Sequence, residues 1–108
     1  MNEPADAASP PPEQHPPEGA VVRLLPIVNS RGLHARAAAR FVLTVEKFDA
    51  TVTVTRGHET VDGTSIMGLL MLNAGPGTSI TVAAAGPQAE EVLVALEALV
   101  AGRFGEDE

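Results

Sequence analysis

The 108-residue sequence contains no cysteine, tryptophan or tyrosine and only three phenylalanines. The absence of cysteine excludes disulfides and cysteine-ligated metal sites. No stretch approaches the roughly 20 consecutive apolar residues that cross a bilayer, and the N-terminus lacks the basic flank and apolar core of a secretory signal. We therefore expect a soluble, cytoplasmic protein with no membrane-inserted segment.

Basic residues are missing from both ends of the chain. Residues 1–18 contain four acids and no lysine or arginine, and residues 106–108 are all acidic. These seven acids account for the formal net charge of −7, so the region between them is neutral overall. Without a basic surface or an aromatic stacking platform, the chain is not expected to bind nucleic acid.

Proline is unevenly distributed and divides the chain. Six of the nine prolines fall within residues 1–18, a segment with almost no large apolar side chain. This composition is typical of a disordered segment, because proline removes backbone donors and little surface can be buried. We predict a disordered acidic tail over residues 1–19, one folded domain over residues 20–104 and a frayed acidic end over residues 105–108.

Hydropathy patterns predict alternating strands and helices in the folded part. Pro26 indicates that the first strand lies at a sheet edge or carries a bulge. The order β-α-β-β-α-β-α favours an α+β fold, a two-layer sandwich with a mostly antiparallel sheet and its helices packed on one side. The predicted elements are a strand at 21–28, a helix at 35–48, strands at 51–55 and 58–61, a helix at 66–72, a strand at 78–84 and a helix opened by residues 86–87.

His34 lies where a turn at residues 29–32 gives way to the first predicted helix. Unpaired N–H groups and a partial positive charge make a helix N-terminus favourable for anions. Arg36 adds a planar bidentate donor that suits phosphate, and histidine is a competent nucleophile. The pattern is compatible with a histidine that accepts a phosphoryl group. The alternative is that His34 only caps the helix and Arg36 is a surface cation.

Two blocks of sequence resemble the HPr family, the histidine phosphocarriers of the phosphoenolpyruvate-dependent phosphotransferase system. Residues 32–38, GLHARAA, resemble the family's active-site signature, and residues 63–72, GTSIMGLLML, resemble its regulatory-serine segment. The blocks occur in the family's order, and the resemblance covers residues 20–103. It implies an open-faced β-sandwich in which a four-stranded antiparallel sheet is covered on one side by three helices.

The resemblance also implies a role for individual residues. His34 would accept a phosphoryl group at Nδ1 from phosphorylated enzyme I and pass it to an EIIA-type protein. Arg36 would support the phosphate, and Ser65 would be the serine modified by HPr kinase/phosphorylase. Such a protein is a monomeric carrier that depends on partner enzymes, and it needs no cofactor and no metal. One departure is Ala37, which stands where the family usually has proline.

Ser65 also has a purely structural interpretation. Its hydroxyl can accept a backbone N–H as the N-cap of the second helix, which does not exclude phosphorylation. The helix that follows has more apolar residues than a core-facing stripe requires, so it is either buried nearly all round or exposed for docking. We expect partner docking at Arg40, Ile66, Met67, Leu70 and Met71.

Two other classes of function fit parts of the sequence pattern. One is a regulatory protein-binding module of HPr-like fold that acts mainly through its phosphorylation state in a nitrogen-related branch. A module that used the same surface without carrying phosphate would have no need of His34. A small ferredoxin-like ligand-binding domain fits the element order and gives no reason for the two blocks. His58, Thr60 and Asp62 share one strand face, and a solvated face explains them better than a metal site does.

Overall fold

The structure, a computed structural model, describes residues 19–108. The predicted disordered tail lies outside the described residues, apart from residue 19. Seven helices and strands follow in the predicted order, and a short 3₁₀ turn that was not predicted comes after them. The strands are β1 Val21–Pro26, β2 Thr51–Arg56, β3 Glu59–Asp62 and β4 Ser79–Ala85, the helices are α1 Ala35–Val45, α2 Ile66–Met71 and α3 Ala89–Ala101, and the 3₁₀ turn is Arg103–Gly105.

The four strands form one antiparallel sheet in the order β1-β4-β2-β3. β4 is therefore central, although it is the last strand in the chain, and it pairs with β1 on one side and β2 on the other. Pro26 ends the edge strand β1 opposite Ser79, where its missing N–H interrupts no interior ladder. The predicted edge position is confirmed.

The core lies between the sheet and the three helices. Alternate strand residues point into it, and each helix contributes an apolar stripe. This is the predicted two-layer α+β sandwich. The largest fully buried apolar side chains are Ile27 after β1, Ile80 and Val82 of β4, Val54 of β2, Phe41 of α1, Leu69 of α2, Val92, Leu93, Leu96 and Val100 of α3, and Phe104 of the 3₁₀ turn.

Helix α1 is shorter than the hydropathy pattern predicts, because it ends at Val45 and not at Phe48. The N–H groups of Lys47 and Phe48 donate to the carbonyls of Thr44 and Val45, at 3.2 and 3.1 Å. These bonds span three residues and not four, so the chain tightens into a turn before the next strand. Apolar spacing continues through that turn, which explains the longer prediction.

The last four residues, for which the composition predicts a frayed end, follow a buried anchor and make backbone hydrogen bonds. Phe104 is fully buried, which anchors the chain just before them. The Glu106 N–H donates to the Arg103 carbonyl at 2.9 Å, and the Ser30 N–H donates to the Glu108 carbonyl at 3.2 Å. The acidic end is therefore held against the loop that precedes α1.

Candidate functional site

The loop between β1 and α1 holds His34 in place through backbone contacts. Gly32 has a φ of +66°, and a Cβ at this position would lie 2.6 Å from the Ala74 carbonyl oxygen. Only glycine fits both the left-handed conformation and this close approach. The next N–H, of Leu33, donates to the same Ala74 carbonyl at 2.9 Å. The loop is thereby fixed against the segment that leads into β4.

His34 is the N-cap of α1. Its backbone is extended, and its carbonyl accepts the first helical hydrogen bond, from the Ala38 N–H at 2.8 Å. Its Nδ1 accepts the Arg36 N–H at 3.3 Å, so Nδ1 lies over the first turn of the helix. The side chain keeps 23% of its surface exposed. The capping alternative therefore describes the geometry correctly, and the same geometry places a ring nitrogen where an anion is favoured.

Glu106 is a site residue that the sequence analysis missed. Its Oε2 contacts Nε2 of His34, and its Oε1 accepts from Nδ2 of Asn29 at 3.0 Å. The hydrogen bond from Asn29 lowers the pKa of the Glu106 carboxyl, and so do the hydrogen bond from His34 and the charges of His34 and Arg31. Glu106 and His34 lie 72 residues apart, so no local pattern relates them.

Three arginines lie around the first turns of α1 and the chain end. Arg31, Arg36 and Arg40 line an open cavity of about 380 Å³ together with Ser30 and residues 105–108. Arg31 also lines a second cavity, which contains His34. The Arg40 guanidinium donates to the Phe104 carbonyl, so this residue holds the 3₁₀ turn against α1. The sequence analysis expected only a docking role for Arg40.

Ser65 is the N-cap of α2, as its position predicts. Its hydroxyl oxygen accepts the Gly68 N–H at 2.9 Å, which satisfies one of the unpaired donors of the first turn. A Cβ on Gly68 would lie 2.9 Å from the Cβ of Val61, so glycine lets α2 approach β3 closely.

The apolar residues of α2 do not form a helix buried all round. Ile66, Met67 and Met71 keep 41%, 69% and 70% of their surface exposed. Leu70 is half-buried and lines the same cavity as His34. We call Ile66, Met67, Leu70 and Met71 the α2 apolar surface. Its methionines are exposed to solvent, and its Leu70 lies at the edge of the cavity that contains His34.

Metal-ligating side chains are not clustered in the described part of the chain. Among residues 19–108, no group of three histidine, aspartate or glutamate side chains lies close enough to hold a metal ion. None of the described helices is long and apolar enough to cross a membrane.

Comparisons with known proteins add independent evidence. The family model described as the PTS HPr component phosphorylation site matches residues 21–102. The chain is 45% identical over 82 residues to the phosphocarrier protein HPr of Cupriavidus necator, covering 76% of this chain and 92% of that protein. It is 40% identical over 84 residues to the phosphocarrier protein NPr of Shewanella violacea, covering 78% and 92%.

A solved structure is similar over nearly its whole length. The crystal structure of HPr-C-His from Thermoanaerobacter tengcongensis superposes with a TM-score of 0.78 at 36% identity. The match covers 82% of this chain and 99% of that one.

Proposed function

The chain belongs to the HPr family of phosphocarrier proteins, and we propose on that basis that His34 is the residue that carries the phosphoryl group. Proteins of this family are carriers within the phosphotransferase system and not catalytic enzymes. The observation that best supports His34 is the position of its Nδ1, 3.3 Å from the Arg36 N–H at the start of α1. An accepted phosphoryl group lies there beside the positive end of the helix.

The transfer needs little beyond positioning and charge. The lone pair of Nδ1 forms the bond to phosphorus while the donor's leaving group departs in line with the electron pair of the broken bond. Arg36 is exposed and next to this turn, so its guanidinium can meet two phosphoryl oxygens at once. The group is then available to an acceptor, because His34 is partly exposed and not enclosed in a pocket.

The HPr family implies phosphotransferase partners such as enzyme I and EIIA-type proteins. We propose that they dock on the α2 apolar surface, which adjoins the His34 cavity through Leu70. Exposed methionines suit several partners, because the flexible thioether side chain adapts to different surfaces. Arg40 is assigned to the rim of this docking region, next to Arg36 in the open cavity.

Ser65 is proposed as a regulatory phosphorylation site for an HPr kinase/phosphorylase. Its hydroxyl lies at the N-terminus of α2, directly beside the exposed side chains of Ile66 and Met67. A phosphate there would place about −1.5 to −2 charges at the edge of the docking surface without burying them.

The proposed carrier function is tested by incubating the protein with enzyme I and phosphoenolpyruvate and measuring its mass before and after acid treatment. We expect one acid-labile phosphoryl group, and His34→Ala should abolish it while the fold persists. His58→Ala is the matched control, because it removes an exposed histidine from the β2–β3 turn. Undiminished labelling of His34→Ala would contradict the proposal.

A second candidate is a carrier in a nitrogen-related regulatory branch. The similarity to NPr of Shewanella violacea favours it, alongside the similarity to HPr proteins. Phosphorylated protein should be offered to EIIA-type acceptors of the two branches at equal concentration. Faster transfer to the nitrogen-related acceptor would assign the chain to that branch, and faster transfer to a sugar-related acceptor would exclude it.

A further inference from the structure

A chain of three polar side chains runs from the protein interior to the histidine site. Asn29 is the only fully buried polar or charged residue among residues 19–108. Its Nδ2 donates to the Gly32 carbonyl at 2.8 Å and to Oε1 of Glu106 at 3.0 Å. The other carboxylate oxygen, Oε2, contacts Nε2 of His34. Glu106 is therefore held from behind by a buried amide while it contacts the histidine ring.

Each ring nitrogen of His34 has a neighbour with a fixed hydrogen-bonding role. An ionised carboxylate can only accept, so the nitrogen facing Glu106 must carry the proton. A backbone N–H can only donate, so the nitrogen facing Arg36 must offer a lone pair. The two contacts come from segments far apart in the chain and specify the same neutral tautomer, with hydrogen on Nε2 and the lone pair on Nδ1.

We propose that Glu106 is a positioning residue that fixes the His34 ring and its tautomer so that Nδ1 is the nucleophile. This inference rests on the proposed function of His34. A carboxylate that orients a reactive imidazole through its other nitrogen is a recurrent arrangement in enzymes that use histidine as a base. Here the imidazole is the acceptor of the transferred group.

The contact also matters after transfer. When Nδ1 forms its bond to phosphorus, no proton leaves the ring, because Nε2 keeps its hydrogen and the donor's leaving group takes the electron pair of the broken bond. The ring then carries a positive charge shared between its two nitrogens. Glu106 lies against Nε2, so its carboxylate stabilises that charge as it develops.

The first measurement uses unphosphorylated protein. The nitrogen chemical shifts of the His34 ring report which nitrogen carries the hydrogen. They are recorded by NMR at a pH at which the ring is neutral. We expect hydrogen on Nε2 in the parent and a mixture of both tautomers in Glu106→Ala. Asp107→Ala is the matched control, because it removes one carboxylate from the neighbouring position and leaves the contact with His34 in place.

The second measurement is the rate of His34 phosphorylation by enzyme I below saturation. Glu106→Ala should be at least about tenfold slower than Asp107→Ala, by analogy with the loss found when a carboxylate that orients a metal-bound histidine is removed. Glu106→Gln keeps the size of the side chain without its charge, so its phosphorylation rate should lie between those of the parent and Glu106→Ala. It also provides a second test if the alanine variant misfolds.

The proposal is overturned if Glu106→Ala keeps the parent's tautomer, or if it is phosphorylated as fast as Asp107→Ala. These outcomes differ from failure of the proposed function, in which the parent itself gains no phosphoryl group on His34. The tautomer measurement needs no phosphoryl donor, so it tests the positioning role by itself.

Discussion

His34 combines the two interpretations that its sequence position left open. As the N-cap, its Nδ1 accepts the Arg36 N–H and satisfies one of the unpaired donors of α1. A phosphoryl group at Nδ1 would replace that acceptor with oxygens that the same N–H groups can reach. Capping and phosphoryl transfer therefore use the same backbone N–H donors. These donors have an acceptor both before and after His34 is phosphorylated.

Arg36 should matter for transfer and little for stability. Its side chain is exposed, and its guanidinium can pair with two phosphoryl oxygens where a lysine offers a point charge. We expect Arg36→Ala to slow His34 phosphorylation by about tenfold or more, as loss of one charge-assisted bond predicts. Arg36→Lys should recover only part of the rate. Lys47→Ala, which removes an exposed cation beyond the other end of α1, is the control. Equal rates for Arg36→Ala and Lys47→Ala would assign Arg36 to the solvated surface.

The site could be predicted from the sequence only where its members are neighbours in the chain. His34 and Arg36 share one loop-to-helix boundary, and that boundary is visible as a change of hydropathy period. Glu106 reaches the site because Phe104 anchors the chain end beside α1, a tertiary event that no local pattern encodes. The cluster of acids at the end was visible, but acids in a terminal segment ordinarily indicate a solvated tail.

At the scale of elements, the strands and long helices were predictable because each has a strong period. The alternation at residues 51–55 became β2, and its buried members are Val52 and Val54. The 3₁₀ turn Arg103–Gly105 was not predicted, because three residues carry no period and all three have positive φ. The turn is important because it places Phe104 in the core. Helical periodicity does not predict this, because Phe104 lies beyond the end of α3.

The N-cap hydrogen bond of Ser65 should make a measurable contribution to the free energy of unfolding. The hydroxyl accepts the Gly68 N–H, and the helix has only six residues, so few other bonds support its first turn. We expect Ser65→Ala to lower the free energy of unfolding by about 0.5–2 kcal/mol, measured by denaturant titration. Ser65→Asp should keep most of that stability, because aspartate is also a good N-cap.

The two Ser65 variants should differ in their effect on the rate of phosphoryl transfer. Ser65→Ala should be phosphorylated at His34 at the parent's rate, whereas the carboxylate of Ser65→Asp adds charge at the α2 apolar surface and should slow it. Screening by physiological salt limits the effect to groups in direct contact with the partner. Ser79→Asp, an exposed serine at the start of β4, is the control for added charge. If Ser65→Asp reacts as fast as Ser79→Asp, Ser65 acts on this partner only as a cap.

At the scale of the whole molecule, the chain end both completes the core and approaches the site. Phe104 belongs to the core between α1 and α3, while Glu106 and the Glu108 carbonyl contact the loop before α1. Stability and chemistry are therefore divided between adjacent residues of one short segment. The acidic residues at 106–108 also lie beside the arginines of the open cavity, which reduces the net positive charge presented to a phosphorylated partner.

This division predicts different results for two truncations of the C-terminus. A chain ending at Gly102 loses Phe104, which is fully buried, and should be destabilised by about 3–5 kcal/mol, the usual cost of removing a buried phenylalanine from a core. A chain ending at Gly105 keeps Phe104 and loses only a few hydrogen bonds at the surface of the site, so its unfolding midpoint should stay near that of the parent. Its phosphorylation by enzyme I should nevertheless slow to the rate of Glu106→Ala. Denaturant unfolding and transfer rates measured on both truncated proteins check this separation. Equal destabilisation of the two would contradict this separation, because the two truncated proteins differ only in residues 103–105, and the burial of Phe104 would then add nothing to stability.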